Sequence, residues 1–129
     1  MNLIQRVAMT SALASVTFLT ISSAQEHIPV KVVVVAAFDD ELQNWINNLP
    51  LSVTIPFPQG FEALHYNPNL QVLGIITGQG KSHAAASIMA LGLDARFELS
   101  HAYWIIAAIA GVDPNRASVA SVAWAKIHR

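Results

Sequence analysis

Four consecutive valines, Val32 to Val35, sit inside the apolar run Val30–Ala37 (VKVVVVAA) and constrain this chain more than any other feature. Their β-branched side chains are stiff at χ1 and suit a pleated sheet better than a helix. The run does not alternate apolar with polar residues, so it reads as a strand buried on both faces, as in the middle of an α/β sheet. Asp39, Asp40 and Glu41 follow at once. Three carboxylates there predict a helix start, where the macrodipole favours negative charge. Leu42, Trp45, Ile46 and Leu49 have the 3, 4, 7 spacing of one buried helical face, and Pro50 ends the pattern.

The same reasoning carries along the chain. Leu51–Phe61 is extended or looped, because Pro56 and Pro58 exclude a central strand. Glu62–Tyr66 is a short strand and Leu70–Thr77 a strong one, joined by the turn residues Asn67-Pro68-Asn69 into a hairpin. Gly78-Gln79-Gly80 breaks the second strand. Ser82–Leu93 reads as a helix with Ser82 as N-cap and Ala84, Ile88 and Leu91 as its buried face. Tyr103–Ile109 reads as a third buried strand, Ala110–Pro114 as a loop and Ser118–Lys126 as a last strand. Trp45 and Trp104 are expected in the core. The order β-α-β-β-α-β-β predicts an α/β domain with helices packed on a mixed sheet. A final strand with no helix after it leaves one face uncovered, which points to a truncated domain prone to self-association or aggregation.

Residues 1–24 are set apart from this fold. Arg6 is followed by an uncharged, largely apolar stretch ending in Ser22-Ser23-Ala24, small residues at −3 and −1 of a cleavage site. This is the pattern of a secretory signal peptide, which leaves residues 25–129 as the domain. Its hydroxyl residues and the lack of a following charge cluster favour a cleaved leader over an anchor. No segment after it is long and apolar enough to span a membrane. With no cysteine in the chain, export to a bacterial periplasm is expected, and a disulfide scaffold, a thiolate nucleophile and a thiolate zinc site are excluded. Charged residues make up only 12% and the net charge is −1, with seven scattered basic residues, which argues against nucleic-acid binding.

Ligands of open α/β sheets bind beyond the carboxyl ends of the strands. Those ends here are Phe38-Asp39-Asp40, Thr77-Gly78-Gln79-Gly80-Lys81-Ser82 and Ala110-Gly111-Val112-Asp113. In the second, two glycines permit positive φ and close backbone approach, ahead of a helix N-terminus that suits a phosphate, a carboxylate or a sugar hydroxyl. The spacing is not that of a phosphate-binding P-loop, and a plain strand-to-helix turn would use the same glycines. Gly111 closes a run of small residues that either admits a ligand or lets a helix pack closely. Asp39 can hold a hydroxyl, act as a base, or merely sit at a helix start. Of the five histidines, none with metal-ligand spacing, only His83 lies beside the glycine turn. No metal or other cofactor is implied.

The combination resembles the purine nucleoside permease family from about Ile28 to Ala125. The most specific stretches are Gly74-Ile75-Ile76-Thr77-Gly78, Ala86–Asp94 and Ala110-Gly111-Val112-Asp113-Pro114. That family is similar to the nucleoside phosphorylase superfamily, so the resemblance implies a three-layer αβα fold around a central mixed sheet. It also implies a purine nucleoside ligand and a role in nucleoside transport. Asp39, Thr77, Gly78, Gly80, Ala110 and Gly111 are the expected ligand-lining residues, with Asp39 the catalytic candidate if chemistry occurs. Two departures stand out. The chain corresponds only to the N-terminal part of the family pattern, and Lys126–Arg129 leaves that pattern. Related phosphorylases use glycine and a basic residue for phosphate where this chain has Phe38-Asp39-Asp40. Two carboxylates repel phosphate, so a nucleoside-cleaving relative with this loop is expected to use water. Uptake by binding, N-glycosidic cleavage and an inactive fragment are the three readings carried forward.

Overall fold

In a computed structural model of the protein, residues 27–124 are described. Strands β1 (Ile28–Pro29), β2 (Val32–Ala36), β3 (Val53–Ile55), β4 (Leu64–Asn67), β5 (Val72–Ile76), β6 (Phe97–Glu98) and β7 (Tyr103–Ile106) alternate with helices α1 (Asp39–Asn48) and α2 (Lys81–Gly92). Five of these strands form one mixed sheet in the order β3-β4-β5-β2-β7, and β1 pairs with β6 in a separate two-stranded ladder. The leader-like segment 1–24 lies outside the described residues.

The valine run lies next to the sheet's middle strand, paired in parallel with β5 on one side and β7 on the other (Val34 opposite Gly74 and Ile105). Alternation then divides its side chains between two cores. Val33 joins Leu73, Ile75 and Leu64 on the face covered by Leu91 of α2. Val34 and Ala36 join Val72, Ile76 and Leu51 on the face covered by Leu42 of α1. One helix therefore covers each face, and β2 and β5 supply apolar side chains to both cores, as the unalternating sequence requires. Gly74 makes room for α1: a Cβ there would stand 3.2 Å from both Leu42 methyls and 3.1 Å from Leu51.

The hairpin forms as expected, with His65, Tyr66 and Asn67 opposite Gly74, Leu73 and Val72. Pro56 and Pro58 leave room only for the three-residue β3 at the edge of the sheet, where a missing N–H costs no ladder bond. The loop after β3 is tied to the end of α2 by Arg96, whose Nη1 donates to the Pro56 carbonyl while its Nη2 pairs with Asp94 at 2.7 Å.

Three expectations need correction. Residues 118–124 form no strand; after Ala107 the described chain holds only turns and extended segments. Small, apolar residues alone do not make a strand without a neighbouring ladder to pair with. Tyr103–Ile109 is not a buried strand: β7 stops at Ile106 and is the sheet's other edge, leaving Tyr103 78% and Ile106 80% exposed. Trp104 is accordingly 42% exposed rather than core. Finally, α2 begins at Lys81, with Gly80 as its N-cap residue and no side-chain cap bond. Gly80 (φ +91°) supplies the turn itself, and Ser82 falls inside the first turn.

Candidate functional site

The carboxyl ends of the parallel strands β2, β5 and β7 converge where β2 gives way to α1 and β5 to α2. Thr77, one residue past β5, is 2% exposed. Its N–H donates to the Ala36 carbonyl at 2.9 Å, and its hydroxyl reaches the carbonyls of Ala36 and Gly78 at 3.2 and 3.1 Å. Ser87 of α2, also buried, donates to the Thr77 carbonyl at 3.0 Å and fixes the helix against this turn. The glycine turn is thus built by bonds that close on themselves, with Gly78 and Gly80 both at positive φ.

Two clefts open here and share Ala37. The first, about 340 Å³, is almost wholly apolar, walled by Val35, Ala84, Ile88, Trp104, Ile106 and Ala108. Its polar groups are Thr77 and Glu41. The second, about 420 Å³, is its polar counterpart at the rim, formed by Phe38, Asp39, Phe61, Glu62, Gln79 and His83. There the Phe61 and His83 rings meet at 5.5 Å with a 44° tilt. Gly78 seats that pair, since a Cβ on it would lie 2.7 Å from His83 Nδ1 and 2.7 Å from the Phe61 ring.

Asp39 therefore borders the polar cleft and Thr77 the apolar one, while Gly78, between Thr77 and Gln79 in the chain, lines neither and acts on the rim through the Phe61–His83 pair. Asp39 is exposed in the first turn of α1. Gly80 has open space around its Cα and acts through its backbone. Ala110 and Gly111 are exposed, Gly111 meets nothing within 4 Å of an added Cβ, and neither borders these two clefts. At this end of the sheet the wall of the apolar cleft is formed by Ile106, Ala107 and Ala108.

Glu41 is the residue that sequence reasoning passed over. Its side chain is buried (8% exposed) at the third position of α1. Its Oε2 accepts from the Ala37 N–H at 2.7 Å and its Oε1 from the Ile109 N–H at 2.8 Å. The first bond resembles the reach-back of a glutamate at the third helical position toward the N-cap, and that spacing is the one signal in the sequence that could have singled it out.

Gly78→Ala is expected to lower stability by about 1–3 kcal/mol through positive φ and steric clash together. Gly80→Ala, with the same backbone problem and open space, should cost about 1 kcal/mol or less. Urea denaturation of both variants checks this; equal losses would mean the Phe61–His83 seat is unimportant.

Among the described residues no helix is long and apolar enough to cross a membrane. No solved structure matches the chain. Among curated proteins, a probable purine nucleoside permease of Schizosaccharomyces pombe is 33% identical over 105 residues, covering 74% of this chain and 29% of that protein. A purine nucleoside permease of Candida albicans is 31% identical over 99 residues, covering 74% of this chain and 24% of its own length. The chain thus spans about a quarter of the length of the curated relatives it matches. The purine nucleoside permease family model matches residues 29–128, which take in both clefts and the whole five-stranded sheet and run past Lys126, where the pattern was expected to end, and the chain belongs to that family.

Proposed function

We propose that this chain carries part of the recognition site of a purine nucleoside uptake protein, with the nucleoside held at the carboxyl end of β2 and β5. The observation that carries this reading is the pair of clefts joined at Ala37. A nucleoside has a flat heteroaromatic base and a hydroxyl-rich sugar, and here an apolar slot adjoins a rim of carboxylates, amide and imidazole. In this pose the base lies between Ile88 and Trp104, and the sugar hydroxyls meet Asp39, Glu62 and Gln79. The names of the relatives support a purine as the base. Export to the periplasm, by way of the leader-like segment 1–24, belongs to the same proposal, as does a nucleoside phosphorylase-like three-layer framework.

The test is a thermal melt of the chain with millimolar adenosine or inosine, and with uridine and adenosine monophosphate for comparison. Purine nucleosides should raise the transition, by the equivalent of about 2.7 kcal/mol at a hundredfold excess over Kd. Uridine should do less, and the monophosphate less still, because its phosphate meets the carboxylates of the rim. No response to any purine nucleoside would overturn the reading.

A second reading, hydrolytic cleavage of the N-glycosidic bond, is favoured by the same carboxylate-rich loop. Asp39, Asp40 and Glu41 stand in the first turn of α1 with no basic residue among them, so water is a better acceptor there than phosphate. Free hypoxanthine released from inosine, abolished by Asp39→Asn, would establish cleavage over binding alone.

A further inference from the structure

Burying a carboxylate costs free energy unless hydrogen bonds replace its water. The ion pair seen among the described residues is Arg96 with Asp94, so Glu41 is compensated instead by backbone N–H groups and by the N-terminal end of α1. Those N–H groups belong to segments 72 residues apart in sequence: Ala37 directly follows β2, and Ile109 lies three residues past β7. Between them, the Ala107 N–H donates to the Val35 carbonyl at 2.8 Å. Residues 107–109 therefore form a strap across the end of the sheet, and its inner side, Ala107 and Ala108, is one wall of the apolar cleft. Beyond Ile109 the described hydrogen bonds are local, such as Arg116 N–H to the Asp113 carbonyl and Asn115 N–H to the Asp113 carboxylate. The Glu41–Ile109 bond is thus the last long-range hydrogen bond along the described chain.

We infer that Glu41 is the positioning residue of the cleft: it latches the strap 107–109 onto the end of β2, and ligand occupancy and strap order reinforce each other through it. The reciprocity follows from geometry. A ligand in the slot touches Ala108 and Ile106 and is bounded by Glu41, each of whose oxygens uses one of its two acceptor positions on the backbone. A ligand N–H or O–H can occupy a remaining position without displacing the strap. Whatever holds the strap builds the wall for the ligand, and the ligand returns the same coupling free energy to the strap. The identity of the ligand rests on the nucleoside reading above; the latch does not.

Amide hydrogen exchange on the whole chain separates the two. Without ligand, Glu41→Ala should speed exchange at Ile109 and Ala37 by about tenfold or more, while Val34 and Leu73 in the central ladder keep their protection. With adenosine, the unaltered chain should gain protection at Ile109, and Glu41→Ala should bind about tenfold more weakly with little such gain. Glu41→Gln, which keeps one acceptor oxygen and converts the other to a donor, should release Ile109 or Ala37 but not both. If Glu41→Ala unfolds the chain, so that every amide exchanges, Glu41→Gln decides: selective release supports the latch and unchanged protection at both amides overturns it. Adenosine failing to bind the unaltered chain would sink the nucleoside reading and leave the unliganded comparison to decide on Glu41. Tight binding and full Ile109 protection in Glu41→Ala would overturn the latch itself.

Discussion

Leu42→Ala is expected to lower the unfolding free energy by about 2–5 kcal/mol, the range for removing a fully buried leucine. Leu42 has no exposed surface and packs among Val34, Ala36, Leu51, Val72 and Ile76. A domain of this size has a total stability near the low end of about 5–15 kcal/mol, so the loss would be a large part of it. The contact with Gly74 makes the prediction sharper. A Cβ at position 74 would stand 3.2 Å from both Leu42 methyls, so Gly74→Ala alone should be mildly destabilising, whereas in the Leu42→Ala background it should fill part of the void. The double variant should then be more stable than the sum of the single losses predicts, by about 0.5–3 kcal/mol of coupling. Urea denaturation of the four proteins measures this directly. Additivity would mean that α1 moves onto the sheet and closes the void without help.

Asn67→Ala should cost about 2–4 kcal/mol, more than a polar residue at a turn normally does, because four bonds are lost together. Asn67 is 6% exposed. Its Nδ2 donates to the carbonyls of Leu49 and Pro50 at 2.7 and 3.1 Å, in the turn that follows α1. Its Oδ1 accepts from the Asn69 and Leu70 N–H groups at 2.9 and 3.0 Å and shapes the β4–β5 turn. Asn67→Asp isolates the two halves. It keeps the acceptor for the turn but sets a carboxylate oxygen against two carbonyls, so at neutral pH it should be at least as damaging as alanine. A near-neutral Asn67→Asp would show that the turn matters and the tie to α1 does not.

What could be read in advance follows from the range of the forces involved. The valine run, the face of α1 and the β4–β5 hairpin rest on patterns within a dozen residues, and each appears with its ends shifted by a residue or two. The exposure of Trp104 could not be read that way, because it depends on which strands flank β7, and parallel neighbours are chosen across the whole chain. Over residues 118–124 the expected strand failed for the same reason: the valines and alanines have the right composition but no ladder in the described residues. The site was legible in part. Asp39 and Thr77 border the clefts, and Gly78 lies beside Thr77, because strand ends of a parallel sheet gather there whatever the details. Glu41 was hidden among three adjacent acids that look alike in sequence; only the fold reveals that one of them turns inward to meet Ile109.

The placement of β2 between β5 and β7 also dictates an order of events during synthesis. The strand richest in valine is the first of the five-stranded sheet to be made, yet its partners lie about 40 and 70 residues later, at Gly74 and Ile105 for Val34. The β4–β5 hairpin, with its short turn, can close long before either parallel pairing. Until the chain reaches Ile106, the valine segment has at most one of its two neighbours. A segment of four β-branched residues held open in this way invites pairing with the same segment of another nascent copy. Slow translation or crowding of ribosomes should therefore hurt the yield of this protein more than modest changes in its final stability, and a charged residue placed beside the run, as Lys31 already is, should protect it.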